Sequence, residues 1–350
     1  MFQFFVDLMK SVLILQNEIM EYRKPVYNGL AEDYEVVVLH SGRPSVKESD
    51  CYREIIIPQL PVWRFHLQPR SPLGRIIGNF DAVIAMFDIA WPAYIVPLFR
   101  RKRPKYILWG HRYSKNRFAC VVRDQFMQRA DRLLMYGDEE VECMIARGVD
   151  PSKIVIAWNT IQVPNHHDYS GTSKNSLLFV GRLQVRKRID LLIETFARLQ
   201  GRIENETILD IVGSGEIEKD LREVAANHGV ADKIFFHGRV DSPEALAGFF
   251  SRAYAYVSPG HVGLGVLHSL AYGVPVITLR NVRHAPEFHN LVHARNAFIC
   301  EDIREIEQAM EKLCTDREFS TELGRNAYQH YVRERTVSRM LDGFKKAIEE

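Results

Sequence analysis

Short apolar runs alternate with amphipathic runs along most of the chain, and this alternation predicts β-strands separated by α-helices. Before residue 160 the predicted strands are 11–16, 35–40, 54–57, 81–86, 106–109, 132–136 and 154–157. After residue 175 they are 177–180, 207–212, 234–237, 255–257 and 274–278. Strands that alternate with helices in this way are typical of a parallel sheet covered on both faces.

A polar, turn-rich stretch at 163–174 interrupts this pattern and predicts a linker between two domains of similar construction. The pattern therefore predicts an α/β fold with two Rossmann-like, doubly wound domains that face each other across a cleft. Residues 1–165 would form the first domain, 166–330 the second, and 331–350 a helix packing back on the first. Ligands of such domains bind beyond the carboxyl ends of the strands, which would line the cleft.

The composition is that of a globular protein and argues against several classes of partner. Hydrophobic residues make up 46% and charged residues 26% of the 350 residues, which is enough for two ordinary cores. A net charge of +2 does not favour nucleic acid as a partner. The five cysteines are widely spaced and predict neither disulfides nor a zinc site, so a cytoplasmic location is expected.

The stretch 255–287 predicts a strand, a glycine-rich loop, a helix and a second strand in close succession. The glycines of the loop leave its backbone amides uncovered, and a helical pattern follows directly. Uncovered amides at the start of a helix attract phosphate, so Gly263, Leu264 and Gly265 are candidate phosphate ligands. The alternative interpretation is an ordinary turn of a βαβ unit.

Four cations at 182–188 follow a predicted strand and precede a predicted helix. Guanidinium and ammonium groups in this position, here Arg182 and Lys187, can clamp a diphosphate. The alternative interpretation is a solvated basic loop, which is the commoner fate of such a run.

Other polar positions of the second half also lie beyond predicted strands. The segment 236–240, with Arg239 and Val240, forms a glycine loop whose backbone can hold a flat base. Glu287 can accept hydrogen bonds from sugar hydroxyls, or it belongs to a helix N-terminus. His268 lies on the flank of the helix after the glycine loop, where a histidine is commonly a surface residue.

In the first half, His111 follows a strand and can serve as an acid, a base or a hydrogen-bond partner. A polar set follows the first strand and is formed by Asn17, Glu18, Tyr22 and Arg23. Each of these residues has an ordinary structural interpretation when it is judged alone. Polar sets beyond the strands of both halves together favour one shared ligand site.

The densest run of positive charge lies between two predicted elements of the first half. It is formed by Arg100, Arg101, Lys102, Arg103 and Lys105. It predicts contact with anionic lipid headgroups at a membrane surface, or it is a solvated loop. No D-x-D pair for a divalent metal and no G-K-[ST] phosphate loop occurs in the sequence, so a metal is not expected.

The second half resembles the donor-binding half of the GT-B fold glycosyltransferases of the retaining family GT4. The segments that carry the resemblance are FVGRLQVRKRIDLLIETF, LDIVGSGEIEKDL, IFFHGRV and AYVSPGHVGLGVLHSLAYGVPVIT followed by PE. The first half matches less closely, through NEIMEYRKPVYNGLAEDYEVVVLHSG and ADRLLMYGDEEVECMIARGVDPSKIVIAWNTI.

The resemblance implies a role for most of the candidate residues. Arg182 and Lys187 correspond to the cations that hold the donor diphosphate, and the loop at 263–265 to the amides that contact sugar and phosphate. Arg239 and Val240 match the segment that frames the nucleobase. His111 matches a histidine of the cleft, and the polar set after the first strand would contact the acceptor.

The sequence departs from the family at two positions near the glycine loop. Members of the family usually carry two glutamates there, and this chain has Gly260 and His268 instead. His268 can still bind a ribose hydroxyl, whereas Gly260 has no side chain. Glu287 and His261 are the candidates to replace the missing carboxylate at the donor sugar.

The resemblance therefore implies transfer of a sugar from a nucleotide-diphosphate sugar to a glycan or lipid-linked acceptor, without a metal and with retention. The expected pathway is the assembly of a bacterial surface polysaccharide such as O-antigen or capsule. Two alternatives stay open, a sugar-nucleotide epimerase of the same fold and a non-catalytic nucleotide-sugar-binding protein. The expected location is the cytoplasm, with peripheral contact to the inner face of the plasma membrane.

Overall fold

A computed structural model describes residues 9–111, 117–139, 141–164, 174–204 and 206–350. It divides the chain into two compact units, Met1–Asn159 with Val337–Glu350 as the first, and Thr160–Thr336 as the second. The first unit therefore ends six residues before the boundary that the sequence pattern predicts, at 159 rather than 165. Most of the predicted linker, residues 165–173, lies outside the described residues.

The first unit is built on a parallel sheet of seven strands. Its strands, together with those of a separate hairpin, are β1 (Ser11–Leu15), β2 (Glu35–His40), β3 (Arg53–Ile56), β4 (Leu60–Val62), β5 (Phe65–Leu67), β6 (Ala82–Met86), β7 (Lys105–Gly110), β8 (Arg132–Met135) and β9 (Ile154–Ile156). The sheet has the order β3-β2-β1-β6-β7-β8-β9, and β4 pairs with β5 in the antiparallel hairpin.

Helices cover both faces of this sheet because its strands are apolar on both sides. In β1, Leu13 and Leu15 belong to one buried cluster, whereas Val12 and Ile14 belong to the other. The helices before residue 160 are α1 (Lys24–Leu30), α2 (Arg70–Ile77), α3 (Pro92–Ile95), α4 (Arg117–Arg129) and α5 (Val141–Ala146). Short 3₁₀ segments lie at Glu21–Arg23, Val96–Phe99 and Pro151–Lys153.

The second unit repeats this architecture with six parallel strands in the order β12-β11-β10-β13-β14-β15. The strands are β10 (Ser176–Val180), β11 (Ile208–Val212), β12 (Ile234–Phe236), β13 (Ala253–Val257), β14 (Val276–Leu279) and β15 (Ala297–Cys300). The helices are α6 (Ile189–Arg198), α7 (Glu218–Asn227), α8 (Pro243–Ser251), α9 (Gly265–Ala271), α10 (Ile303–Thr315) and α11 (Arg317–Glu334). Its 3₁₀ segments are Val185–Lys187, Ala231–Lys233 and Pro286–Asn290.

The carboxy-terminal helix differs from the predicted terminal helix over 331–350. Helix α11 ends at Glu334, and a new helix, α12 (Val337–Glu349), starts after a two-residue break. At the break, the side chain of Arg335 donates to Asn290, and its carbonyl accepts a hydrogen bond from Thr160. These contacts hold the end of α11 in the second unit, so only α12 belongs to the first.

The strand order places a topological switch point in each sheet, where neighbouring strands connect in opposite directions. The switch lies between β1 and β6 in the first unit and between β10 and β13 in the second. Loops that follow strands at such a point diverge and leave a crevice that ligands occupy. The sequence pattern predicts neither the hairpin β4–β5 nor the edge strand β15.

Candidate donor-binding site

Two loops at the switch point of the second unit are joined by hydrogen bonds. The basic loop after β10 carries Lys187, and the glycine loop after β13 carries Gly260 and His261. The amide of Gly260 donates to the carbonyl of Lys187 over 3.0 Å, and that of His261 to the carbonyl of Arg186 over 2.9 Å. The two loops that the sequence singles out for phosphate binding therefore meet at one point.

Gly260 is the residue that permits this close approach. A Cβ atom at this position would lie 2.6 Å from the carbonyl carbon of Lys187 and 2.8 Å from its oxygen, and would also meet the carbonyl oxygen of Arg186. Real Cβ atoms essentially never come so close to backbone atoms. The position where the family resemblance implies a glutamate thus has no space for any side chain in this arrangement.

Lys187 is buried between the two loops, and its ammonium group faces the glycine loop. Its Nζ donates to the carbonyl of His261 over 2.6 Å, which uses one of its three N–H groups. Burial lowers the pKa of Lys187 to about 8, and the charge of Arg186 acts in the same direction. The carboxylate of Glu287 acts in the opposite direction and favours the charged ammonium.

Arg182 lies at the beginning of the same basic loop, and its side chain is exposed. Within the described part of the chain, no hydrogen bond or ion pair holds its guanidinium group. It follows Gly181, whose carbonyl oxygen leaves no space for a Cβ at Gly213 on the neighbouring strand end. Arg182 is therefore free to bind an anion, whereas Lys187 is already oriented by its surroundings.

A side chain would be tolerated at Gly263 of the glycine loop but not at Gly265. The nearest atom to a Cβ at Gly263 would be the Cβ of Ala285, at 4.0 Å. At Gly265 a Cβ would be 2.8 Å from the ring of Tyr256, which donates a hydrogen bond to the carbonyl of Val180. Gly263 and Leu264 are both partly exposed, while Gly265 lets α9 pack against β13.

His284 holds the glycine loop from the side of β14, and nothing in the sequence pattern marks it for this role. Its Nδ1 accepts from the amide of Val262 over 3.2 Å, and its Nε2 donates to the carbonyl of Leu279 over 2.7 Å. Its ring stacks on Phe288 with centroids 4.2 Å apart. Burial lowers the pKa of His284 to about 4, so the ring stays neutral and keeps Nδ1 as an acceptor.

Glu287 lies in the 3₁₀ segment Pro286–Asn290 and is buried. Its charge raises the pKa of Lys187, so the structure brings together a carboxylate and a cation that are 100 residues apart in the sequence. His261, the other candidate to replace the missing glutamate, donates from Nδ1 to the carbonyl of Arg283 over 2.8 Å. Its Nε2 is then the nitrogen available to a ligand.

The candidate nucleobase segment lies at the same edge of the sheet as the basic loop. The amide of Gly213 donates to the carbonyl of Gly238 over 2.7 Å, which connects the ends of β11 and β12. Arg239 is exposed and bonded to Asp241 over 2.8 Å, and Val240 is half-buried. The backbone of this segment, rather than the paired guanidinium, is the part suited to frame a base.

His268 is half-buried on α9 and stacks against Phe250. Its Nδ1 is buried and has no hydrogen-bond partner among the described residues. Burial lowers the pKa of His268 to about 4, so the ring is neutral at physiological pH. Because Nδ1 is buried, the suggested hydrogen bond to a ribose hydroxyl would have to be made by Nε2 of the neutral ring.

In the first unit, the polar set that includes Asn17 and Glu18 follows β1 at the switch point of the sheet. The carbonyl of Asn17 accepts from the amide of Ser41, and Glu18 is exposed. Tyr22 is half-buried beside the guanidinium of Arg23, 5.0 Å from its ring centroid. Asn17 and Glu18 thus have polar groups that an acceptor can reach.

Arg23 is placed differently from the rest of that set, because its side chain is buried. It lies over the rings of Trp109 and Tyr136, donates to the hydroxyl of Tyr136 over 2.9 Å, and contacts the sulfur of Met340. These contacts fix α12 and the aromatic cluster of the first unit. The placement favours a packing role for Arg23 over direct contact with an acceptor.

His111 follows β7 and packs against Tyr136, with ring centroids 4.6 Å apart. Burial lowers the pKa of His111 to about 4, and the charges of Arg123 and Arg23 contribute. A neutral histidine with so low a pKa is a weak base and is better suited to hydrogen bonding a hydroxyl group. Arg123, which no sequence motif marks, is buried and donates to the carbonyls of His111 and Phe87.

The basic run of the first unit is partly occupied by internal contacts. Arg103 pairs with Asp131, Lys105 donates to the carbonyl of Ile348 over 2.9 Å, and Arg100 approaches the carbonyl of Gly74 at 3.3 Å. Arg101 and Lys102 are exposed. Fewer of its side chains are therefore free to contact a partner than the sequence suggests.

The described residues contain neither a metal-type cluster nor a helix able to span a membrane. Among these residues, no group of three or more His, Cys, Asp or Glu side chains is arranged to hold a metal ion. None of the helices in the described part of the chain combines the length and apolar character that crossing a bilayer requires.

The fold is that of the GT-B glycosyltransferases, with two doubly wound parallel sheets. A solved structure of HepE (Alr3699) from Anabaena in complex with UDP covers 97% of this chain and 99% of its own, with a TM-score of 0.75 and 14% identity. The structure of WaaG, described as a glycosyltransferase involved in lipopolysaccharide biosynthesis, covers 96% of this chain and 98% of its own, with a TM-score of 0.64 and 16% identity.

The sequence of the second unit identifies the family more closely. Residues 167–330 match the model of the glycosyl transferases group 1, and this part of the chain belongs to that family. A curated relative, D-inositol 3-phosphate glycosyltransferase of Geodermatophilus obscurus, is 28% identical over 183 residues. That match covers 46% of this chain and only 40% of the length of the relative.

Proposed function

We propose that this protein is a retaining glycosyltransferase that moves a sugar from a nucleotide-diphosphate sugar to a glycan or lipid-linked glycan acceptor. The observation that carries the proposal is the junction of the basic loop and the glycine loop at the switch point of the second unit. Lys187 is buried there and donates to the carbonyl of His261 in the glycine loop. Membership of residues 167–330 in the group 1 family supports this reaction class.

The chemistry follows from the charge that develops on the leaving group. The bond between the anomeric carbon and the diphosphate oxygen breaks, and the nucleoside diphosphate departs with an additional negative charge. Arg182, Lys187 and the amides of Gly263 and Leu264 stabilise that charge by direct hydrogen bonds, without a metal ion. The acceptor hydroxyl forms the new bond on the same face and passes its proton to the departing phosphate, which retains the configuration.

The side chains around the donor would have complementary roles. Glu287 would accept hydrogen bonds from the sugar hydroxyls and keep Lys187 protonated. It would thereby replace the glutamate that the family resemblance implies at position 260. His268 and the backbone of Arg239 and Val240 would hold the ribose and the base. His111, with Asn17 and Glu18 of the first unit, would contact the acceptor.

The proposed pathway is the assembly of a bacterial surface polysaccharide such as O-antigen or capsule. The likeness to WaaG, whose description mentions lipopolysaccharide biosynthesis, is consistent with this setting. A lipid-linked acceptor places the enzyme in the cytoplasm, at the inner face of the plasma membrane. The exposed Arg101 and Lys102 would contribute to contact with that surface.

A turnover assay that determines the product anomer tests the proposal. A panel of nucleotide sugars is first screened by thermal shift, because a bound donor stabilises the folded state. The best donor is then incubated with glycan and lipid-linked acceptors, and NMR determines the anomeric configuration of the product. We expect the donor configuration to be retained, whereas an inverted product would contradict the mechanism. Isomerised donor without acceptor would indicate the epimerase, and binding without turnover the non-catalytic protein.

Donor affinity should depend on pH through Lys187. Its pKa of about 8 in the free protein lies below the ordinary value for lysine, so the ammonium loses its proton above pH 8. A neutral amine does not attract a diphosphate, and we expect the Kd to rise by up to about tenfold per pH unit above pH 8. Below about pH 7 the Kd should be nearly constant on this account.

Calorimetry at several pH values, in buffers of different ionisation enthalpy, measures this dependence and the accompanying proton uptake. The matched control is Lys187→Arg, because a guanidinium stays protonated throughout this range. Its Kd should vary little between pH 7 and 9. Equal pH profiles for the two proteins would exclude Lys187 as the titrating group.

A further inference from the structure

The hairpin β4–β5 presents large apolar side chains to solvent. Trp63, at its tip, is 86% exposed, and Leu60 is 64% exposed. Val62, Phe65 and Leu67 are also exposed by more than a third. Single exposed apolar residues are ordinary, but five on one eight-residue hairpin form a patch that commonly marks an interaction surface.

The backbone conformation of Trp63 is a second indication that the residue at the tip does not stabilise the fold of the unit. Its φ angle is +55°, in the left-handed region where turns of two residues prefer glycine or asparagine. An unfavourable backbone angle at a residue whose side chain is nearly all in solvent gains little from packing within the unit. Such an outlier is better explained by a partner that contacts the indole ring.

The hairpin is held firmly on its unit and continues into the segment at 96–102. The amide of His66 donates to the carbonyl of Ala90 over 2.8 Å, and its ring stacks on Trp91 with centroids 4.5 Å apart. Leu67 lines a small apolar groove together with Val96 and Arg100. Val96 and Phe99 are themselves about half exposed, so the apolar patch extends along this groove.

The charged residues in the stretch that carries this patch are mostly cationic. The stretch 60–105 contains eight arginines and lysines but only two acidic residues, Asp81 and Asp88. Arg64 lies 5.3 Å from the ring centroid of Trp63, and Arg101 and Lys102 are exposed. An apolar surface with a tryptophan at its tip and cations beside it matches the boundary between acyl chains and anionic headgroups.

We propose that the β4–β5 hairpin and the segment at 96–102 form a surface that docks the first unit on an anionic lipid bilayer. Trp63, Leu60 and Phe65 enter the headgroup region, while Arg64, Arg101 and Lys102 contact lipid phosphates. The inference deepens the proposed function, on which it rests for its membrane setting alone. The hairpin, rather than the basic run at 100–105, is then the main membrane contact, because Arg103 and Lys105 of that run bond within the unit.

Co-sedimentation of the full chain with vesicles tests this surface. The vesicles consist of phosphatidylcholine with or without phosphatidylglycerol, and the hairpin variant is Leu60→Ser, Trp63→Ser, Phe65→Ser. We expect binding to the anionic vesicles alone, weakened by salt, and about tenfold or more weaker in the hairpin variant. The charge variant Arg101→Glu, Lys102→Glu should show a loss of similar size.

Matched controls lie in the second unit. Val332→Ser removes an exposed apolar residue, and Lys219→Glu with Arg304→Glu reverses two exposed charges. Neither control should alter vesicle binding. Unchanged binding by the hairpin variant, or equal binding to neutral vesicles, would overturn the proposal. Self-association would also overturn it, if sedimentation velocity detects dimers of the free protein and the hairpin variant abolishes them. The patch would then join two copies of the chain.

The same proteins distinguish this proposal from the donor site. The hairpin variant should bind nucleotide sugars with the wild-type Kd and retain turnover of a water-soluble acceptor. Loss of vesicle binding with intact turnover would support the docking surface and the proposed function together. Vesicle binding without any turnover of donor would leave the surface in place and contradict the proposed function.

Discussion

Replacing Arg182 and Lys187 together with alanine is expected to lower kcat/KM for the donor by roughly a hundredfold to ten-thousandfold. Each side chain would donate a charge-assisted hydrogen bond worth about 1.5–3 kcal/mol to the diphosphate, so the pair contributes about 3–6 kcal/mol. The bonds strengthen as the leaving group gains charge, so kcat should fall as well as affinity. Steady-state kinetics measure the fall in kcat and kcat/KM, and calorimetry with the free nucleoside diphosphate measures the loss of affinity.

The same loop supplies the control for that experiment. Arg188 is exposed and pairs with Asp190 at 3.3 Å, so Arg188→Ala removes a cation of the loop but no proposed ligand. Its kcat/KM should stay within about twofold of wild type, because an exposed ion pair contributes little. Wild-type kinetics for the double alanine variant would exclude the basic loop as the diphosphate site. A thermal melt of each variant checks that loss of the Lys187 hydrogen bond has not unfolded the loop.

The fold could be predicted from the sequence because the buried strands of a parallel sheet are continuous apolar runs bounded by turn residues. The runs at 35–40 and 82–86 are buried on both faces and were placed within one or two residues. The hairpin β4–β5 was missed because its apolar residues face solvent, so periodicity carries no information about a core. The break between α11 and α12 depends on Asn290 and Thr160, which are distant in sequence from Arg335.

The position of the candidate site could be predicted from the sequence because the carboxyl ends of neighbouring parallel strands converge. Lys187 and the glycine loop both follow strands, and adjacent parallel strands bring such loops together. His284 gave no signal, because its role depends on hydrogen bonds to Val262 and Leu279 rather than on a motif. The burial of Arg23 was equally hidden, since only the tertiary fold places Trp109 and Tyr136 around it.

Gly260→Glu introduces the residue that the family resemblance implies at this position, yet we expect it to lower both stability and donor binding. Any side chain here would meet the backbone of Arg186 and Lys187, so the two loops must separate. Overpacking of this kind costs about 1–3 kcal/mol, and separation also removes Lys187 from the carbonyl of His261. A thermal melt and the Kd for the nucleoside diphosphate measure the two effects.

The size of the introduced side chain should matter little, because the collision begins at the Cβ atom. Gly260→Ala is therefore expected to share most of the defect of Gly260→Glu in both measurements. Gly248→Ala is the matched control, since a Cβ there meets nothing within 4 Å and the residue lies inside α8. It should be as stable as wild type or more stable by up to about 1 kcal/mol. A Gly260→Glu variant with normal stability and higher transferase activity would instead show that the position is an open catalytic site, and that Glu287 does not act in its place.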